Sequence, residues 1–274
     1  MRSLFDAADR CLAAVDPDEK VRLTVEAVVD WRAGALTIDA HGPPRPIGEP
    51  GRPERPRLVA PRDLPGRGLG TPEGHAAFIH AIAHIELNAI NLAWDAVYRF
   101  RALPRPYYGD WVTVAGEEAR HFDMLRTHLR ALGYEYGAFD AHDGLWQMAR
   151  QTAGDPLERM ALVPRVLEAR GLDVTPGMRA RLEALGDTRG AAILGVILAD
   201  EVGHVAAGSR WFWHLCAERA LSPEPTFRRL VARHFPGVLK GPFNLPARRA
   251  AGFTEAELQA LAAPDGVGGP PCTP

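Results

Sequence analysis

The sequence is short of cysteine, has almost no excess charge, and lacks a long uncharged apolar run. Its three cysteines, Cys11, Cys216 and Cys272, are far apart, which excludes iron or zinc sites built from Cys-x-x-Cys pairs and fits reduced thiols. The net charge of −2 provides no global field for nucleic acid, so a nucleic-acid partner is not expected. No stretch approaches the roughly 18 uncharged apolar residues of a membrane helix.

The N-terminus also lacks the apolar core of a signal peptide, because Asp6 and Asp9 interrupt its apolar stretch. We therefore expect a cytoplasmic protein with no membrane span. With 274 residues, 46% of them hydrophobic, the chain is long enough to bury a substantial core.

Strand patterns are nearly absent, and apolar residues recur with helical periodicity. The fold class is predicted as all-α, with four longer helices suited to a bundle. The predicted helices cover 3–14, 17–33, 72–102, 107–132, a short WQMAR segment, 156–170 with a kink at Pro164, 176–185 opened by Thr175-Pro176, 188–220, 224–235, and a last one opened by the capping box Thr254-x-x-Glu257.

Residues 34–70 are rich in proline, glycine and arginine and have no periodic apolar pattern, so we expect an extended or partly disordered connection. Residues 1–70 are predicted to form N-terminal helices and this wrapping segment. Residues 71–221 would form the bundle, and residues 222–274 a helical extension whose end, 263–274, is frayed.

The segment AAILGVILADEVGHVAAGSRWFWHL, residues 191–215, is strongly apolar but contains a carboxylate and an imidazole. Glu201 and His204 fall on its apolar stripe, one above the other on a 3.6-residue helix. Burying both costs several kcal/mol unless they are paired or bind an ion. A metal is one solution, and a buried Glu–His ion pair is the other.

A second helix repeats this pattern, because Glu118 and His121 lie on the same kind of stripe in DWVTVAGEEARHFDMLRTHLRAL. The two remaining long helices each carry one carboxylate on an apolar stripe, Glu86 and Glu168. The separation from Glu86 to Glu118 is 32 residues and that from Glu168 to Glu201 is 33. The chain therefore contains a degenerate repeat of one helical hairpin.

A glutamate from each of two helices and Glu-x-x-His from the other two is the arrangement of ferritin-like di-iron carboxylate proteins. The sequence resembles that superfamily over residues 72–220. The stretches HIELNAINLAWD, GEEARHFDML, LVPRVLEARGLD and ADEVGHVAAG resemble an uncharacterised bacterial ferritin-like family. The resemblance implies a dinuclear metal site with ligands Glu86, Glu118, His121, Glu168, Glu201 and His204, whose ions would be about 3.5–4 Å apart.

The chemistry of these residues agrees with a metal site, because four ionised carboxylates converging in a core repel each other strongly. Two divalent cations would cancel their charge. Oxygen ligands with imidazole suit iron or manganese, so two iron ions are expected, with manganese or a mixed pair as alternatives; zinc would also bind. The competing interpretation is a set of structural ion pairs.

Glu117 and Asp200 each come directly before a ligand glutamate and four residues before a ligand histidine. Ligating histidines usually donate their other ring proton to a carboxylate, so we predict this role for both residues. Solvated helix charges are the alternative. His80 and His128 lie near the ligand stripes and are weighed as extra ligands or as ordinary core histidines.

The function expected from this site is an oxidase or oxygenase that uses O2 or peroxide on a small organic substrate. Iron storage, rubrerythrin-like peroxide scavenging and hydroxylation of a modified RNA nucleoside are the alternatives. Scattered cysteines cannot build the four-cysteine iron site common in rubrerythrins. The Pro-rich stretch 42–70 is the predicted cover of the site, and a homodimer stays open as the assembly state.

Overall fold

The computed structural model describes residues 2–39, 42–66, 68–235 and 239–263, and this part of the chain is predominantly helical. The predicted all-α class is confirmed, whereas the ferritin-like bundle stays a prediction. The chain divides into two compact units, one ending at Arg150 and the other beginning at Gln151. The division falls between the two halves of the repeat predicted from the sequence.

The first unit is built around two long helices, α3 (Pro72–Arg99) and α4 (Arg105–Ala131), which pack on each other. α1 packs on α3 and α2 on α4. A short strand β1, Arg2–Ser3, pairs in parallel with β2, Leu36–Thr37. The helices of this unit are α1 Leu4–Ala13, α2 Pro17–Arg32, α3 Pro72–Arg99, α4 Arg105–Ala131 and α5 Gly144–Gln151, with a 3-10 turn at Pro61–Asp63.

Helix starts follow the capping signals of the sequence. The Thr71 side chain accepts a hydrogen bond from the Gly74 N–H at 3.0 Å, and Pro72 occupies the first turn of α3. α4 begins at Arg105, two residues before the predicted start, because Pro106 fits within a first helical turn. The predicted positions of these helices are therefore confirmed to within a few residues.

The Pro/Gly-rich connection is held against the first unit in its described part. Leu58 forms an isolated β-bridge with Ala141, and the Trp146 indole N–H donates to the Gly48 carbonyl at 2.8 Å. Arg57 is paired with Asp140 at 2.6 Å. The connection is thus extended but anchored through backbone and side-chain hydrogen bonds.

The second unit contains α8 (Thr188–Glu218), the longest helix of the described chain, and a helical arm, residues 156–185, that packs on it. Its elements are α6 Pro156–Leu162, a π-helical segment Val163–Glu168, α7 Ala169–Leu185, α8 Thr188–Glu218, α9 Pro223–His234, α10 Leu245–Ala250 and α11 Glu255–Ala262. The capping box of Thr254 and Glu257 is present as predicted, whereas α10 was not predicted. Of the predicted frayed end, residues 264–274 lie outside the described part.

The prediction of a separate helix opened by Thr175-Pro176 is wrong, because Pro176 lies inside the continuous helix α7. Proline has no N–H to donate to the carbonyl four residues earlier, that of Leu172. The Asn244 side-chain amide donates to this carbonyl at 3.1 Å instead. A side chain distant in the sequence therefore satisfies the acceptor that would otherwise end the helix.

Two helices are long and apolar enough to span a membrane by length and composition, α3 and α8. In α3, 78% of the apolar window is buried within the fold, and in α8 the share is 50%. Core helices of soluble proteins meet the same criteria, and the burial of α3 is that of a core helix. The cytoplasmic location stays a prediction.

Candidate metal centre

Glu86 lies in the middle of α3, on the face that the helix buries. Its neighbours one turn away, Ile82, Ala83 and Ile90, are buried core residues. Glu86 itself is 3% exposed. An apolar helix face with a carboxylate at its centre has a desolvation cost that a partner must offset.

Glu118 and His121 lie one turn apart on α4 and are both fully buried. Residues three apart on a helix face the same side, so both side chains are presented together. Because α3 packs on α4, their common target is the carboxylate of Glu86. The structure thus brings together the three residues that the sequence predicts for the first half of the site.

The three side chains converge on one point. The Nδ1 atom of His121 is 3.2 Å from Glu86 Oε2 and 3.3 Å from Glu118 Oε2. One ligand atom of each residue lies within 4.8 Å of the others. Metal bonds of roughly 2.0–2.2 Å leave neighbouring ligand atoms about 3 Å apart, so this donor set fits a metal ion with little rearrangement.

The electrostatics of this cluster favour a cation. Burial, and then the neighbouring Glu118 carboxylate, raise the pKa of Glu86 to about 8. Burial alone lowers the pKa of His121, but hydrogen bonds to Glu118 and Glu86 outweigh it and raise the pKa to about 10. Without a metal, this cluster therefore retains protons that a divalent ion would replace.

In the second unit, Glu201 and His204 lie one turn apart on α8 and are 8% and 1% exposed. His204 Nδ1 is 3.7 Å from Glu201 Oε2, too far for a direct hydrogen bond. Glu168, 9% exposed, is the last residue of the π-helical segment, which packs on α8. Each predicted ligand of the second half is therefore buried, and two of them share one helix face.

The π-helical segment contains Pro164, the residue at which the sequence predicts a kink. Single π turns within α-helices are frequent at functional sites, because the wider turn redirects the side chains that follow. This turn can approach α8 closely because position 208 is glycine. A Cβ atom placed on Gly208 would overlap the Pro164 ring.

Glu117 and Asp200, the predicted acceptors for the ligand histidines, are both half-buried. Their assigned role stays a prediction. Of the two histidines weighed as extra ligands, His80 has a structural partner: its Nε2 accepts from the Gly137 N–H at 2.9 Å, and its ring stacks on Tyr136 at 5.2 Å. The His128 ring meets that of His75 edge to face.

The sequence interpretation missed Arg165, which lies three residues before Glu168 and is fully buried. Arg165 bonds Glu257 at 2.7 Å and Ser209 at 3.2 Å. The available signal was an arginine within the apolar stretch MALVPRVLEA, where a charge requires a buried partner. Its partner on α11, about 90 residues later, could not be read from that stretch.

A family model for a protein of unknown function, DUF455, matches residues 13–259. The chain belongs to this family. An uncharacterized protein of Haemophilus influenzae is 49% identical over 264 residues, which cover 93% of this chain and 92% of that protein. No solved structure matches. The family match spans both units and includes α2 and the first part of α11 as well as the predicted ligands.

Proposed function

We propose that this protein is a non-haem dimetal oxidase or oxygenase of the ferritin-like type, which uses O2 or peroxide on a small organic substrate. Two iron ions per chain are the proposed metals, with manganese or a mixed manganese–iron pair as the alternative. The proposed ligands are Glu86, Glu118, His121, Glu168, Glu201 and His204.

The convergence of Glu86, Glu118 and His121 carries this proposal. Two buried carboxylates and an imidazole within hydrogen-bond distance are unfavourable as an isolated charged group, and a divalent cation offsets the negative charge. Of the buried groups described above, this cluster is matched residue type by residue type in the second unit. The repeat supports a second ion, because the same donor set occurs twice.

The donor set supports iron or manganese. Carboxylate oxygens and imidazole nitrogens, with no thiolate, are the ligands of redox-active non-haem iron and of manganese. Cys11 and Cys216 are buried and free, and burial raises the pKa of Cys11 to about 12, so this thiol stays protonated at neutral pH. Bound iron would supply the redox chemistry with O2 that protein side chains lack.

The residues of the first half have separate tasks. Glu86 and Glu118 supply negative charge from two facing helices, so an ion would tie α3 to α4. His121 presents Nδ1, which must lose its proton before it can bind a metal. The full burial of Glu118 and His121 keeps bulk water from this side of the centre.

Metal analysis of anaerobically purified protein titrated with ferrous iron tests the proposal. We expect about two irons per chain, oxidation on exposure to O2, and no further uptake, since a dimetal enzyme has two metal positions per chain. Fewer than one metal per chain under saturating iron would refute the metal site. Uptake of hundreds of irons per assembly would favour storage.

Glu118→Ala is the informative variant, and Asp95→Asn is its control. Asp95 is a buried carboxylate paired with Arg99 at 2.6 Å and lies nine residues along α3 from Glu86, so D95N changes a buried carboxylate more than two helical turns from the cluster. We expect E118A to lose metal and D95N to keep it. Equal metal loss in both variants would indicate general destabilisation and count against the proposed ligand role.

A further inference from the structure

The second unit buries a charged side chain that the proposed chemistry does not use. Arg165 lies in the π-helical segment with no exposed surface. Its Nη2 donates to Glu257 Oε1 at 2.7 Å and its Nε to Ser209 Oγ at 3.2 Å. Three aromatic rings enclose the guanidinium, with centroids at 4.4–4.8 Å: Phe212, Phe227 and Phe253.

A buried ion pair adds little net stability to a core. Taking both charges out of water costs several kcal/mol per ion, and apolar residues of similar volume often replace a buried ion pair without loss of stability. A buried ion pair can instead fix the position of the segment that carries it. In this unit the Arg165–Glu257 pair links the π-helical segment to α11.

The fixed segment ends with Glu168, a proposed ligand. Two adjacent residues hold the segment on α8: Pro164 packs against Gly208, and Arg165 bonds Ser209. Gly208 follows His204 by one helical turn. Arg165 is thus three residues from the proposed ligand Glu168, and its partner Ser209 is five residues from the proposed ligand His204 on α8.

Glu257 is itself immobilised. Its second oxygen, Oε2, accepts from the Thr254 N–H at 2.9 Å in the capping box of α11, and the Thr254 hydroxyl donates to Glu224 at 2.9 Å. Both oxygens of Glu257 therefore have fixed partners. The first turn of α11 acts as a rigid anchor for the guanidinium.

We propose that Arg165, anchored by Glu257 of α11, is a positioning residue that holds the π-helical segment on α8 and thereby aims the Glu168 carboxylate as a ligand. This inference rests on the proposed dimetal function. It gives α11 a role in metal binding.

The test measures Co²⁺ binding by the full chain, by titration calorimetry and by the d–d absorption of bound Co²⁺, which reports ligand geometry. The variants are Arg165→Met, which keeps packing against the rings, and Glu257→Gln, which keeps the shape and a neutral acceptor. Glu168→Ala, which removes the proposed ligand, sets the largest loss of Co²⁺ affinity expected. Asp173→Asn is the control, because Asp173 and Arg248 form another buried pair of this unit, at 2.6 Å.

We expect R165M to weaken the binding of one of two Co²⁺ ions by about 10–100-fold and to alter the absorption of that ion, the usual effect of losing an orienting partner. E257Q should weaken it less, and D173N should leave affinity and spectrum unchanged while lowering stability. Wild-type binding in both R165M and E257Q would overturn the inference, as would equal weakening by D173N. If the wild-type chain binds no metal, the proposed function itself fails, and the inference with it.

Discussion

The two halves of the predicted metal site share a sequence pattern but differ in how the backbone presents it. In the first unit, Glu86, Glu118 and His121 lie on regular α-helices and meet within hydrogen-bond distance. In the second unit, the glutamate that corresponds to Glu86 ends a π-helical segment, and His204 lies 3.7 Å from Glu201. The second set is also slightly more exposed.

This difference shows that equal spacing in sequence does not guarantee equal rigidity. The first half is fixed by the packing of two long helices, each with a short loop or cap at its start. The second half depends on a local departure from α-helical geometry, which a proline, a glycine and a buried arginine maintain together. We therefore expect the first half to tolerate distant changes better than the second.

The largest expected effect comes from removing a ligand in each half. Glu118→Ala and Glu201→Ala should each weaken metal binding by more than the roughly 10–100-fold of an orienting residue, since a ligand itself is lost. Elemental analysis after dialysis against trace metal gives the ion count. If E201A retained the wild-type count, the second half would not be a metal site, and the comparison would fail.

The pH dependence of stability sharpens the comparison for the first half. In protein freed of metal with a chelator, the folded environment raises the pKa of Glu86 from 4.5 to about 8 and the pKa of His121 from 6.5 to about 10. Both pKa values are raised on folding, so this stabilisation is complete below the lower values and is lost as pH rises. The free energy of unfolding should fall from about pH 5 to about pH 9.

Urea unfolding across this pH range, with and without metal, measures the effect. Added metal should stabilise the fold more as pH rises, because protons compete less for the ligand atoms. Glu86→Gln should flatten the acidic half of the metal-free curve. A metal-free protein whose stability rises over this range would contradict the protonated cluster.

Gly208→Ala tests the second half by overpacking. The added methyl group meets the Pro164 ring, so the π-helical segment must shift, at a cost of about 1–3 kcal/mol in stability. Gly203→Ala is a matched control on the same helix, because a Cβ there has open space. In thermal unfolding, G208A should melt at a lower temperature than G203A. Equal melting temperatures would show that glycine is not required at position 208.

The smallest effect is expected from the half-buried carboxylates beside the ligands. Glu117→Gln and Asp200→Asn should leave the ion count unchanged and weaken binding by roughly 10–100-fold. Competition with a chelator of known affinity measures this change. If neither variant differs from wild type in metal affinity, Glu117 and Asp200 are ordinary solvated charges. Neither half of the site then has a carboxylate at this position that orients a histidine.

Much of the helix content was predictable, because capping residues and apolar periodicity are local signals. Asp16, Thr71 and Thr254 each cap a helix that the sequence predicts. The shared face of Glu118 and His121 was also predictable, because three-residue spacing on a helix fixes the side on which side chains lie. The ferritin-like bundle and the metal remain predictions.

The features that escaped prediction depend on contacts between distant residues. Pro176 was expected to start a helix, and only the Asn244 side chain, which serves the Leu172 carbonyl, allows the helix to continue through it. The π turn at Pro164 requires glycine at 208. Arg165 is explained by Glu257. No window of neighbouring residues contains these pairs.

The hydrogen bond from Asn244 to Leu172 also bears on the order in which contacts form during synthesis. In a nascent chain that has emerged only as far as α8, the Leu172 carbonyl, four residues before Pro176, lacks its Asn244 donor. The Asp173 carboxylate likewise lacks Arg248. Both partners are translated about 70 residues later. The arm bearing Glu168 can therefore complete these contacts only after α10 has been synthesised and has left the ribosome.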